Sequence, residues 1–150
     1  MKYENEVYDK IDLVNSVLEN LNVASLETNR DFIIDKSYYQ EHYVKFLLQK
    51  PNCIELQLIF INNAIQINID RTNETFEWSD KQIQKNINEV KGFIKMLFTS
   101  TIKVEYCGFN YTKIYFYDVS GNCVKNLKYV TGLYLKFGCK IKEYKPIYSK

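Results

Sequence analysis

The side chains in this chain that could do chemistry are few and widely spaced. His42 is the only histidine. A histidine suits a general base or a metal ligand, but either role needs a partner, and neither a second ligand nor an orienting carboxylate can be named beside it. A structural or surface role is the plainer reading. Asp118 and Ser120 stand close enough to suggest an acid–nucleophile pair. They lie in Asp118-Val119-Ser120-Gly121-Asn122, however, and turn chemistry accounts for both residues. The four cysteines, Cys53, Cys107, Cys123 and Cys139, show no Cys-x-x-Cys and no metal-ligand spacing. There is no Gly-rich phosphate loop, no His-Glu-x-x-His and no nucleophile elbow. No catalytic, cofactor-binding or metal-binding residue is assigned. Catalysis is kept as the least favoured alternative, a small enzyme with a Tyr- and carboxylate-lined pocket that carries no short motif.

Two stretches are instead suited to binding. Glu4, Glu6, Asp9 and Asp12 crowd the first half of an N-terminal helix, where acids favour the helix dipole. Runs of like charge are usually solvated faces, and the functional alternative is an acidic docking surface. Near the other end, Lys125, Lys128, Lys136, Lys140, Lys142 and Lys145 are interleaved with Tyr129, Tyr134, Tyr144 and Tyr148. Lysines contact phosphates and rings stack bases, so this segment suits single-stranded nucleic acid. It equally suits a solvated sheet whose lysines guard an edge, and it lacks arginine, the better bidentate and stacking residue. For a protein partner, Tyr115, Tyr117, Tyr134 and Lys136 are the candidate contacts on that side, because tyrosine is enriched at binding hot spots.

The elements that must position these residues can be read from periodicity. Val7, Ile11, Val14, Leu18 and Leu21, widened by Leu13 and Val17, predict a helix over 3–22. Ile83, Ile87, Val90, Ile94 and Leu97 predict a second helix over 79–98. Ser79 and Gln82 are placed as a capping box, and Asp80 lies in the first turn. Ile87, Val90 and Ile94 should face a sheet, with Lys91 and Lys95 exposed. Residues 31–35 read as a short strand or a plug against the core, and 43–48 as a strand. Ile54 to Ile61 and Ile65 to Ile69 form a hairpin through Asn62-Asn63, with positive φ expected in the turn. Ile59 and Ile61 make the first of these strands apolar on both faces, as in a central strand or one that meets a partner. Alternation predicts further strands at 75–78, 102–106, 113–117, 123–130, 133–137 and 141–144.

Composition bounds the rest. With 150 residues and 46% hydrophobic content, the chain suits a single α+β domain over 1–150. Thirteen tyrosines and nine phenylalanines, with only five glycines and two prolines, favour strands with economical turns. Net charge is +2, too small to imply a polyanion partner. Its distribution is uneven: residues 1–35 carry net −5, residues 36–80 net −2 and residues 81–150 net +9. No apolar run approaches the ~20 residues of a membrane span, and the first residues have no apolar core of a signal segment. The expectation is a cytoplasmic protein with four free thiols, no membrane and no cofactor.

Together these features predict an α+β fold, a largely antiparallel sheet of about six to eight strands with two helices packed on one face. The order helix–meander–helix–meander, with the Tyr- and Lys-rich stretches Tyr115-Phe116-Tyr117-Asp118-Val119-Ser120-Gly121 and Tyr144-Lys145-Pro146-Ile147-Tyr148, resembles the small α+β immunity proteins that protect bacteria from toxins delivered by neighbouring cells. The resemblance covers most of the chain as layout and brings no site residues with it. It implies a non-catalytic protein-binding module that blocks a toxin. Single-stranded nucleic-acid binding is the alternative.

Overall fold

The computed structural model describes residues 5–35, 44–70, 75–108, 110–130, 132 and 138–149. The fold is α+β and every strand pairing among the described residues is antiparallel. The described strands form two sheets, not the single sheet of six to eight strands expected, and the described residues hold three helices where two were expected. The chain divides into two compact units, Met1–Pro51 with Glu55–Lys95, and Asn52–Ile54 with Met96–Lys150.

The first unit holds α1 (Asn5–Asn20) and a five-stranded sheet in sequential order: β1 (Phe32–Asp35), β2 (Val44–Leu48), β3 (Leu56–Ile61), β4 (Ala64–Ile69) and β5 (Thr75–Ser79). The stretch 31–35 thus supplies an edge strand. Val7, Ile11, Val14, Val17 and Leu18 are buried, as the stripe requires, and α1 lies against β3. β3 is the central strand, which explains its apolar residues on both faces: Leu58 and Phe60 are fully buried and Ile59 nearly so. Asn62 and Asn63 make the β3–β4 turn, but neither takes positive φ. The turn is held from outside itself. The Lys10 ammonium donates to the Asn62 carbonyl at 2.9 Å, and the Asp80 amide donates to the Asn63 carbonyl at 2.9 Å.

The expected continuous helix over 79–98 is broken. α2 (Asp80–Lys85) starts with the anticipated capping box, in which the Ser79 hydroxyl accepts from the Gln82 amide and the Gln82 side chain accepts from the Ser79 amide. Asn86 then leaves helical geometry at φ −128 and ψ 39, and α3 (Ile87–Thr99) restarts with Val90 donating to the Asn86 carbonyl. One non-helical residue rotates the faces of α3 relative to those of α2. Ile87, expected to face a sheet, is 43% exposed, whereas Val90 and Ile94 are buried as expected. Lys95 is exposed and Lys91 half-buried. Phe93, outside the predicted stripe, is buried against β5, its ring centroid 5.1 Å from both Phe76 and Trp78.

The second unit takes the end of α3 and a four-stranded sheet in the order β8 (Cys123–Val130), β7 (Tyr111–Tyr117), β6 (Thr101–Cys107), β9 (Cys139–Tyr144). Ile102, Val104, Ile114 and Phe116 make its buried face. Phe98 meets Tyr148 edge-on at 5.9 Å, and the Tyr148 amide donates to the Phe98 carbonyl. The β7–β8 loop is the expected turn: Asp118 Oδ1 accepts from the amides of Ser120 and Asn122, and Gly121 sits at φ 83. Asp118 is therefore committed to its own turn.

The expectation of four free thiols is overturned. Cys107 and Cys139 are joined in a disulfide. They stand directly opposite each other on β6 and β9, with Cα atoms 4.2 Å apart. Antiparallel pairing can bring facing residues that close, and a sequence separation of 32 hides the pairing from any spacing rule. Cys53 is buried with its thiol directed at the Pro146 carbonyl, and Cys123 is an exposed thiol. Among the described residues, no helix is long and apolar enough to cross a membrane. The predicted strand at 133–137 and residues 36–43, with His42, lie outside the described residues.

Candidate functional site

The first unit carries a groove of about 470 Å³ between α1 on one side and α2 with the start of α3 on the other. Two helical rows build it. On α1 the row is Glu6, Asp9, Leu13 and Ser16, at steps of three, four and three, with Asp12 and Lys10 beside it. On the other side it is Asp80, Ile83 or Gln84, Ile87 and Lys91. Leu13 and Ile83 are nearly buried in its floor, and Ile87 stands exposed among them.

The polar groups of the groove divide into committed and solvated. Lys10 is only 5% exposed, and its ammonium is held by Asp80 Oδ1 at 3.0 Å and by the Asn62 carbonyl. The Ser16 hydroxyl donates to the Leu13 carbonyl of its own helix at 2.6 Å, so its proton is engaged. Glu6, Asp9 and Asp12 are exposed at the rim. With Lys10 set against Asp80, the other charged residues of the lining are these three acids and Lys91. The arrangement is an apolar floor under an acidic edge, and it offers neither an activated nucleophile nor an acid–base pair.

Three of the acidic residues proposed from sequence, Glu6, Asp9 and Asp12, are thus brought together on one concave surface; Glu4 lies outside the described residues. Sequence reasoning missed Ile83, Ile87 and Lys91 as their companions. The signal was an asparagine inside a helical pattern, since Asn is a poor helix former that competes for backbone hydrogen bonds.

In the second unit, Tyr115 and Tyr117 lie together on the sheet face opposite the buried one, with ring centroids 6.4 Å apart. Both are half-buried. The Lys113 ammonium stands 4.8 Å from the Tyr115 ring and the Lys103 ammonium 5.0 Å from the Tyr117 ring. Glu143 on β9 faces Lys103 at 3.6 Å. Tyr134 and Lys136 lie outside the described residues.

Among the described residues, the other lysines of this region, Lys125, Lys128, Lys140 and Lys142, do not all share one face. Lys125 and Lys128 are three residues apart on β8 and point to opposite faces. Lys140 and Lys142 share the face of Tyr144, whose ring is buried beneath the Lys142 ammonium at 4.9 Å. Tyr148 is buried as well. Two of the tyrosines proposed to stack bases are therefore core residues.

Glu105, Cys107 and Cys139 place their ligand atoms within 4.8 Å of one another, the spacing of a metal cluster. Both sulfurs are spent in the disulfide, so they offer no thiolate. Comparison with protein-family models, with curated proteins and with solved structures found no match to this chain.

Proposed function

We propose that this protein is a non-catalytic protein-binding module whose partner docks in the groove between α1 and the α2–α3 segment. One observation carries the reading: Ile87, a large apolar residue 43% exposed, lies on the floor of a concave surface edged by Glu6, Asp9 and Asp12. An apolar anchor point ringed by charge is the usual anatomy of a protein interface. The acidic rim favours a basic protein and speeds its approach. The resemblance of the sequence layout to small α+β immunity proteins suggests a toxin as that partner, held and blocked without chemistry.

The test is capture of one stoichiometric protein partner by the wild-type chain and its loss with Ile87→Asp. Turnover of a substrate by the protein alone would sink the reading in favour of an enzyme.

A second reading has its own observation. The Tyr115–Tyr117 pair with Lys103 and Lys113 is a sheet surface of the kind that binds single-stranded nucleic acid. Each ring already has an ammonium over it, so a stacking base must displace a lysine. Retention of single-stranded RNA at low salt, lost as salt rises and lost in Tyr115→Ala/Tyr117→Ala, would favour it.

A further inference from the structure

We infer that the occupant of the α1–α2–α3 groove is a basic amphipathic helix of about three turns; this rests on the protein-binding proposal and specifies the partner's chemistry. The groove walls dictate the backbone of the guest. The α1 wall is continuous helix with its backbone groups bonded internally away from the ends, and the other wall, α2 and the start of α3, is helical with one break and contains no strand. An extended segment laid between them would find no strand edge to pair with, and its desolvated amides and carbonyls would go unsatisfied. A helix brings its own hydrogen bonds and needs only side-chain complementarity.

The length is set by the α1 row. From Glu6 to Ser16 is roughly 15 Å along α1 at about 1.5 Å per residue, so about three turns of guest helix face that wall. The apolar floor of Leu13, Ile83 and Ile87 asks for apolar guest residues at i, i+3 or i+4, and i+7. Glu6, Asp9 and Asp12 all stand on the α1 side, whereas Lys91 stands on the other. The guest's lysines or arginines must therefore flank its apolar stripe on the edge turned to α1. That asymmetry fixes which edge of the guest meets which wall.

The experiment uses the full chain and a yeast-displayed pool of segments of about eighteen residues with randomised charge and apolar spacing, sorted for binding. Enriched sequences should show apolar residues at helical spacing with Lys or Arg on one flank. A representative enriched peptide, titrated in solution, should bind Ile87→Asp at least about tenfold more weakly, since a central anchor is lost. Its affinity should also fall with added salt and fall in Asp9→Lys/Asp12→Lys. Circular dichroism of both variants checks that the fold is kept. Enrichment of sequences with strand-like alternation, of acidic sequences, or of none at all overturns the inference, as does a selected peptide indifferent to Ile87→Asp. If the peptide experiment fails while capture of the native partner still depends on Ile87, the helix is wrong and the protein-binding groove stands. If both fail, the groove proposal falls with it.

Discussion

Lys10 and Asp80 meet at 3.0 Å, one nearly buried in the middle of α1 and the other 39% exposed in the first turn of α2. The same ammonium holds the Asn62 carbonyl, and the Asp80 amide holds the Asn63 carbonyl. A helix, a hairpin turn and a second helix N-terminus are thus joined at one point. That point forms one end of the groove. A buried ammonium is tolerated here because it has a carboxylate and a carbonyl to replace water.

Removing the acid should therefore hurt at least as much as removing the lysine. Lys10→Met strips the Asn62 carbonyl and Asp80 of their partner and should cost about 1–3 kcal/mol. Asp80→Asn leaves the nearly buried ammonium without its carboxylate and should cost at least as much, moderated by the partial exposure of Asp80. Urea unfolding followed by the fluorescence of Trp78, the only tryptophan, measures both. A clearly larger loss in Lys10→Met would mean that the packing of the lysine and its bond to Asn62, not the ion pair, hold this junction.

The broken helix makes a sharper distinction. Ile87→Ala should change stability by no more than about 0.5 kcal/mol, as exposed positions do. Ile94→Ala should cost about 2–5 kcal/mol and Phe93→Ala about 3–5 kcal/mol, since both empty a packed site. Thermal melts of the three variants decide it. Equal effects at Ile87 and Ile94 would mean that the helix is continuous.

Ser79→Ala removes the acceptor for the Gln82 amide and breaks the capping box. The expected loss is about 1 kcal/mol. Ser79→Asp, which retains an acceptor oxygen, should recover most of it, and denaturant midpoints compare the two.

Thiol titration addresses the disulfide. Under denaturing, non-reducing conditions the protein should show two thiols, Cys53 and Cys123, and four after reduction. In the folded state Cys123 should react first, being exposed while Cys53 is buried. Reduction should destabilise the protein by up to about 3–4 kcal/mol, the loop-closure value for a separation of 32 residues. Alkylation inside intact cells, before lysis, reports whether the bond exists where the protein works. Four thiols in freshly isolated, unreduced protein would return the cysteines to the reducing-compartment reading.

Local order was legible from residue type and spacing. The α1 stripe, the Ser79–Gln82 capping box, the β3–β4 hairpin and the turn at Asp118 all depend on neighbours a few residues apart, where periodicity and turn chemistry act. The acidic character of α1 was equally plain, because charge is a property of the residues themselves. What only the tertiary structure decided depends on partners distant in the chain. The strands separate into two sheets through pairings such as β6 with β9, which no local pattern specifies. Cys107 finds Cys139 by the same register. Lys10 becomes a buried anchor only because Asn62 and Asp80 are brought to it. Ile87 belongs to the helical period in the sequence, yet the backbone turn at Asn86 exposes it, while Phe93 takes a core place between Phe76 and Trp78. A helix stripe states which side chains can share a face. Which of them is buried depends on the surface that the rest of the chain presents to that face.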